Sequence, residues 1–234
     1  AILAAHYREM GRVAVEYPRL PDLVRAPDGE VVARVDGREH FESARNAGHG
    51  ALMVSGHFGT FELMGGWMAR RQPVSFVVKP LSNPRVEAWI RCVRERMGAQ
   101  VIHTGSGTRG ILRALRENRW VLFLADQDAR RDGLFVPFFG IPTSTPRGPA
   151  AIALRTGAPI VMTFIERQAD GRHVIDFRAP LVPPPASDPD PERTLTAAHT
   201  AVLEARIRAR PDHWFWLHRR WKTPPPGAAT EEAR

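Results

Sequence analysis

Short apolar runs alternate with stretches of helical spacing along most of this chain, and that alternation limits the fold more than any other feature. The clearest run is 120–125 (WVLFLA), apolar at every position, as expected of a strand covered on both sheet faces. Strands are predicted at 31–35, 51–54, 75–78, 100–102, 120–125, 159–164 and 173–177. Helices are predicted at 39–47, 61–70, 85–97, 109–118, 149–156 and 193–210, several of them closed by glycine (Gly48, Gly98, Gly157). The expected class is α/β, a mostly parallel central sheet flanked by helices in a single domain, with its site in loops at the carboxyl ends of strands.

Residues 2–16 have helical spacing and are read, within 1–30, as the tail of a longer N-terminal helical region; the chain begins at Ala1 without Met. Residues 183–191 hold five prolines in nine positions, a rigid connector, and 228–234 read as a disordered tail. The single domain is therefore expected to span 1–227.

Composition narrows the function classes. With 43% apolar and 25% charged residues over 234 positions, wholesale disorder is excluded. A lone Cys92 rules out an intrachain disulfide framework and reads as a small packing residue. No apolar run approaches the ~20 residues that span a bilayer, and no signal-peptide pattern is present. The net charge of +8 suits nucleic acid, an anionic membrane or an acidic partner. The cations are interleaved with apolar segments rather than gathered in a basic arm, which argues against nucleic acid. Of 33 Lys and Arg only Lys79 and Lys222 are lysine, a bias that coding composition explains.

The first loop of the alternating region reads Ser55-Gly56-His57-Phe58-Gly59-Thr60-Phe61-Glu62. Five residues along a regular helix leave two side chains about 140° apart, so His57 and Glu62 meet only if His57 precedes the helix. There a carboxylate on one ring nitrogen would leave the other as a base toward a hydroxyl. A nearby helix N-terminus is expected to depress the imidazole pKa. The plain alternative is a structural histidine beside a glutamate.

GHFGTFE after an apolar strand resembles the H-x4-E/D motif of the lysophospholipid acyltransferase superfamily, and specifically the bacterial late lipid A (lauroyl and myristoyl) acyltransferases and the related phosphatidylinositol mannoside acyltransferases. Three more blocks agree in order: VVKPLSNPRVEAWI at 77–90, with Arg94 and Gly98 following; VLFLADQDAR and GLFVPFFG within 121–140; and WFWLHRRWKTPPPG at 214–227. The similarity runs from about residue 30 to residue 227.

This resemblance implies transfer of a fatty acyl chain to a hydroxyl of a membrane glycolipid such as a lipid A precursor. The acyl thioester of acyl carrier protein or coenzyme A would be co-substrate, with no bound cofactor and no metal. His57 held by Glu62 would be the general base, and no Ser or Cys nucleophile is needed. Lys79 stands where the family has Arg, and Asn83 lies in the same block. Asp126 and Asp128 are expected to orient the acceptor or to pair with Arg130, Arg131 or Arg147. Arg147, opening a helix, suits an anionic group, and His218, Arg219, Arg220 and Lys222 suit phosphate headgroups or the carrier protein. Alternating Trp214, Trp216 and His218 alternatively line a closing strand that only packs. The expected location is the cytoplasmic face of a bacterial inner membrane, attached through the missing N-terminal helix or through basic surface with Phe135, Phe138 and Phe139. Two rivals stay open: a thioesterase or lipid hydrolase using the same pair, and a non-catalytic binder of anionic lipid or nucleic acid.

Overall fold

The computed structural model describes residues 2–104 and 107–227; the tail expected at 228–234 lies outside the described residues. In chain order the elements are α1 (Ile2–Glu16), α2 (Leu20–Leu23), β1 (Val32–Asp36), α3 (Arg38–Asn46), β2 (Ala51–Ser55), α4 (Phe61–Ala69), β3 (Val74–Val78), α5 (Pro84–Arg96) and β4 (Gln100–His103). There follow α6 (Gly107–Arg116), β5 (Trp120–Leu124), β6 (Leu134–Phe138), β7 (Ile141–Thr145), α7 (Gly148–Thr156), β8 (Ile160–Arg167), β9 (His173–Phe177) and α8 (Pro191–Ala209).

Seven strands form one sheet in the order β1-β9-β8-β2-β5-β3-β4. Every neighbouring pair is parallel except β8 with β9. The period-2 alternation of each strand divides its side chains between two cores. Met53, Trp120 and Leu122 face a layer built from α2, α3, α4 and α5, where Phe41, Met64, Trp67 and Met97 pack. Leu52, Val54, Val121 and Phe123 face α6, α7 and α8, meeting Ile111, Ile152, Leu203 and Ile207. Both sheet faces are thus covered, which is why β2 and β5 are apolar throughout.

α1 is tied down by charge. Arg167 at the end of β8 is buried and bonds Glu9 at 2.9 Å and Glu16 at 2.6 Å, and reaches Thr60 Oγ1 just before α4 at 3.3 Å. No described helix is long and apolar enough to cross a membrane.

Four sequence expectations change. The β6–β7 hairpin was not foreseen, because its turn is Phe139-Gly140 rather than an Asn-Gly signal, and Pro137 faces Pro142 across the ladder. Both turn residues have positive φ (+53° and +78°), the requirement of a type I′ turn. Residues 214–218 form no closing strand; Trp214 alone makes an antiparallel bridge, to Phe58. Phe138 is wholly buried, sandwiched against Trp221 and Trp214, and offers nothing to a membrane. Cys92 is exposed on α5 and is not a packing residue.

Candidate functional site

β2 and β5 are parallel neighbours in register, Ser55 opposite Leu124, and the Ala125 N–H donates to the Ser55 carbonyl at 2.9 Å. His57 and Asp126 therefore each stand two residues beyond paired strand ends. Asp126 Oδ1 lies 2.7 Å from His57 Nδ1, and Oδ2 accepts the His57 backbone N–H at 2.7 Å and the Trp214 indole N–H at 2.8 Å. Burial alone would raise the carboxyl pKa, but the His57 charge and these donors hold it below the ordinary carboxylate value. For His57, burial pushes the pKa down, while the Asp126 charge and hydrogen bond outweigh it and raise it above the ordinary value. The depression expected from a helix N-terminus is reversed by this buried carboxylate.

The glycines of the loop are sterically necessary. A Cβ on Gly56 would lie 3.0 Å from Asp126 Oδ2 and 2.9 Å from Leu203 Cδ1. A Cβ on Gly59, which has φ +56°, would lie 2.2 Å from the Ile165 carbonyl oxygen. The loop is clamped from the C-terminal segment as well: Gly59 N–H donates to the His213 carbonyl at 2.8 Å, and Phe215 N–H to the His57 carbonyl at 3.0 Å. Phe61 meets the His57 ring edge-on at 5.4 Å.

With Nδ1–H engaged by Asp126, the Nε2 lone pair is left for a substrate. The Gln127 amide nitrogen stands 3.5 Å from Nε2, too far for a strong hydrogen bond.

Glu62 does not hold His57. Its buried carboxylate receives Arg94 Nη2 at 2.6 Å and Nε at 3.1 Å, and the Tyr17 hydroxyl at 3.2 Å. The reason is directional: from the first turn of α4 the side chain crosses to α5, while both the ring and the backbone of His57 are taken by Asp126. The Arg94 guanidinium also lies 5.2 Å from the Phe76 ring centroid. Burial and then the Glu62 charge push the Tyr17 hydroxyl pKa up, so it stays a donor.

The remaining predicted positions divide. Asn83 caps α5, its side-chain oxygen accepting from the Arg85 and Val86 N–H groups at 3.0 and 3.3 Å, a helix-capping role. Lys79 is exposed in the loop after β3. Arg147 pairs with Glu192 at the start of α8 instead of offering itself to an anion. Arg220 is buried, donating to the Ser144 carbonyl and to Thr145 Oγ1 at 2.7 Å, and burial lowers its pKa to about 10. It staples the C-terminal segment to β7 and is closed to substrate.

Asp126 and Asp128 take separate partners: on an extended chain residues i and i+2 would share a face, but the strand has ended and the backbone bends at Gln127. Asp128 pairs with none of Arg130, Arg131 or Arg147: it takes the Thr223 hydroxyl at 2.9 Å and faces Lys222 Nζ at 3.8 Å. The Asp128 N–H donates to His218 Nε2 at 2.9 Å, and burial lowers the His218 pKa, so that ring acts as a neutral acceptor. Arg219 is exposed. Among the described residues, no group of three or more His, Cys, Asp or Glu is placed to hold a metal ion.

Sequence reasoning placed Asp126 with substrate and left Arg94, Tyr17 and Trp214 without a role at the centre. For Asp126 a signal existed, since it follows an apolar strand by the same offset as His57; Arg94 and Trp214 fall in or beside the matched blocks, and only Tyr17 carried no signal.

A histidine oriented by a buried carboxylate at the carboxyl edge of the sheet is an arrangement suited to general-base chemistry. The chain belongs to the bacterial lipid A biosynthesis acyltransferase family, whose model matches residues 1–223. Among its relatives, the lipid A biosynthesis palmitoleoyltransferase of Escherichia coli is 30% identical over 199 residues, 84% of this chain and 63% of that protein. The lauroyltransferase of the same organism is 29% identical over 206 residues, 86% of this chain and 66% of that protein. The phosphatidylinositol mannoside acyltransferase of Mycobacterium tuberculosis is 29% identical over 229 residues, 94% of this chain and 70% of that protein. The chain thus spans just under two thirds of the length of the Escherichia coli relatives.

Proposed function

We propose that this protein transfers a fatty acyl chain from the thioester of acyl carrier protein or coenzyme A to a hydroxyl of a glycolipid of the lipid A precursor or phosphatidylinositol mannoside type. The observation that carries the reading is the His57–Asp126 pair with Nε2 left free. Nε2 takes the proton of the acceptor hydroxyl as its oxygen attacks the thioester carbonyl. The tetrahedral intermediate then collapses, the C–S bond breaks, and the imidazolium returns the proton to the departing thiolate. Asp126 stabilises that imidazolium, which is the task its buried negative charge suits. Glu62 serves one layer out: it fixes Arg94, and the charges of both reach His57, Glu62 raising its pKa and Arg94 lowering it.

We place this work at the cytoplasmic face of a bacterial inner membrane, and contact with a lipid surface is supported by the residues around this edge of the sheet. Leu81, Val86 and Trp89 are exposed in the loop after β3 and the start of α5, beside Lys79 and Arg85.

The test is incubation of the purified protein with acyl carrier protein or coenzyme A thioesters and each glycolipid, read by mass spectrometry. Gain of one acyl group, lost in His57→Ala, is the expected result. Release of free fatty acid without an acceptor would replace this reading with thioester hydrolysis.

A further inference from the structure

The loop leaving Asp126 continues through Asp128 into a short turn, Arg130–Asp132, and there forms one wall of a pocket of about 630 Å³. The opposite wall is the C-terminal segment carrying Arg219, Lys222 and Thr223. Many arginines of this chain are spent in ion pairs, such as Arg94, Arg147, Arg167, Arg193 and Arg206. Arg130, Arg131 and Arg219 have no carboxylate partner among the described residues, yet they line this one pocket. Only Lys222 is partly matched, at 3.8 Å from Asp128.

The lining holds four cations and one carboxylate, Asp132, while the buried Asp128 behind it meets only Lys222 of them, so positive charge is in excess at the pocket surface. The depression is open and its cations are exposed, so they repel one another only modestly, and an anion that bridges them removes that repulsion. Arg130 is also held at φ +57°, a conformation uncommon for a side-chain-bearing residue, and its carbonyl is pinned by the Ser144 hydroxyl. The fold thus fixes the position of this arginine rather than leaving it on a loose loop. A phosphomonoester carries roughly −1.5 to −2 charges at neutral pH with several acceptor oxygens, which matches the site in charge and in donors.

We infer that the pocket between Arg130–Arg131 and Arg219–Lys222 binds a phosphate group of a substrate. This inference rests on the acyl-transfer reading, since the pocket shares a loop with the carboxylate that orients His57. Two substrates can bring that chemistry: the headgroup of a phosphorylated lipid acceptor and the phosphates of the acyl donor.

Binding of the full chain to two probes separates them: vesicles of phosphatidic acid in phosphatidylcholine, and coenzyme A. The triple variant Arg130→Ala, Arg131→Ala, Arg219→Ala is compared with wild type and with a control lacking three exposed arginines elsewhere, Arg109→Ala, Arg116→Ala, Arg155→Ala. The expected result is at least tenfold weaker binding of one probe in the pocket variant alone, at an unchanged melting temperature, and the probe affected identifies the source. Equal binding of both probes by wild type and pocket variant overturns the inference. Equal loss in the control variant also overturns it, since the binding would then be diffuse surface charge. If the triple variant loses stability, the charge-reversing single variant Arg219→Glu, fully on the surface, is read in the same assay with the same two outcomes. His57→Ala should bind both probes as wild type does. Specific binding without acyl transfer in any assay would leave the pocket standing and remove the proposed function.

Discussion

His57 and Asp126 lie sixty-nine positions apart in sequence and 2.7 Å apart in space because each follows, by two residues, the end of one of two parallel strands in register. Backbone hydrogen bonding between the two strands sets the positions of the pair. The Asp126 carboxylate then locks it by accepting the ring N–H, the main-chain N–H of His57 and the Trp214 indole.

Loss of either partner should stop turnover for different reasons. His57→Ala removes the base, and Asp126→Asn removes the charge that fixes the tautomer and supports the imidazolium. Each should lower the acyl-transfer rate by roughly 10²- to 10⁴-fold. Rates of wild-type order in Asp126→Asn would show that the carboxylate only packs.

The pH profile should follow the same pair. His57 acts as a base when neutral, and its pKa is raised in the folded protein, so kcat/KM should rise with pH through a midpoint above 6.5. The charged pair stabilises the fold below pH 6.5, and that contribution is lost as pH passes upward through the raised pKa. In Asp126→Asn burial acts without its main opponent, and any residual activity should have a lower midpoint.

Glu62→Ala should cost stability as well as activity. It strands Arg94, whose side chain is 12% exposed, so a loss of about 3–5 kcal/mol is expected in denaturant unfolding. The double change Glu62→Ala, Arg94→Met removes both charges and should recover much of that stability without recovering full activity. Failure to recover would place the cost in packing instead.

Gly59→Ala should destabilise the catalytic loop, because its Cβ would sit 2.2 Å from the Ile165 carbonyl oxygen at φ +56°. The expected signs are a lower melting temperature and lost activity together. Gly48→Ala serves as the comparison: it shares a positive φ of +75°, but open space surrounds its Cβ, so it should cost less.

Acid should unfold this protein through two buried histidines. Burial lowers both His173 and His199 to about 4, with nearby Arg167 and Arg220 adding to the effect. The unfolded chain binds protons at these sites near pH 6.5 and the folded one near 4, so stability is present above pH 6.5 and falls as pH drops between those values. Each site contributes up to about 3 kcal/mol to that fall. His199→Gln should flatten the stability–pH curve in this window; an unchanged slope would show that His199 ionises freely in the folded state.

The residues themselves show where the sequence was readable. WVLFLA read as the clearest doubly covered strand, and the glycines around His57 announced a loop before the helix. Hidden from it were the contacts made across the chain. Phe139-Gly140 gave no turn signal, so the hairpin that supports Arg130 and buries Phe138 went unseen. Glu62 was the nearest carboxylate to His57 in sequence, and its direction was decided by Arg94 on another helix.

The sequence by itself determined the α/β alternation, the parallel sheet and the position of His57 at a strand end, because periodicity and steric demands are local. Which carboxylate faces the imidazole, whether its pKa rises or falls, and which arginines are consumed in ion pairs were decided only by the tertiary structure. Those properties depend on distance and burial between residues far apart in the chain, and strand register sets both.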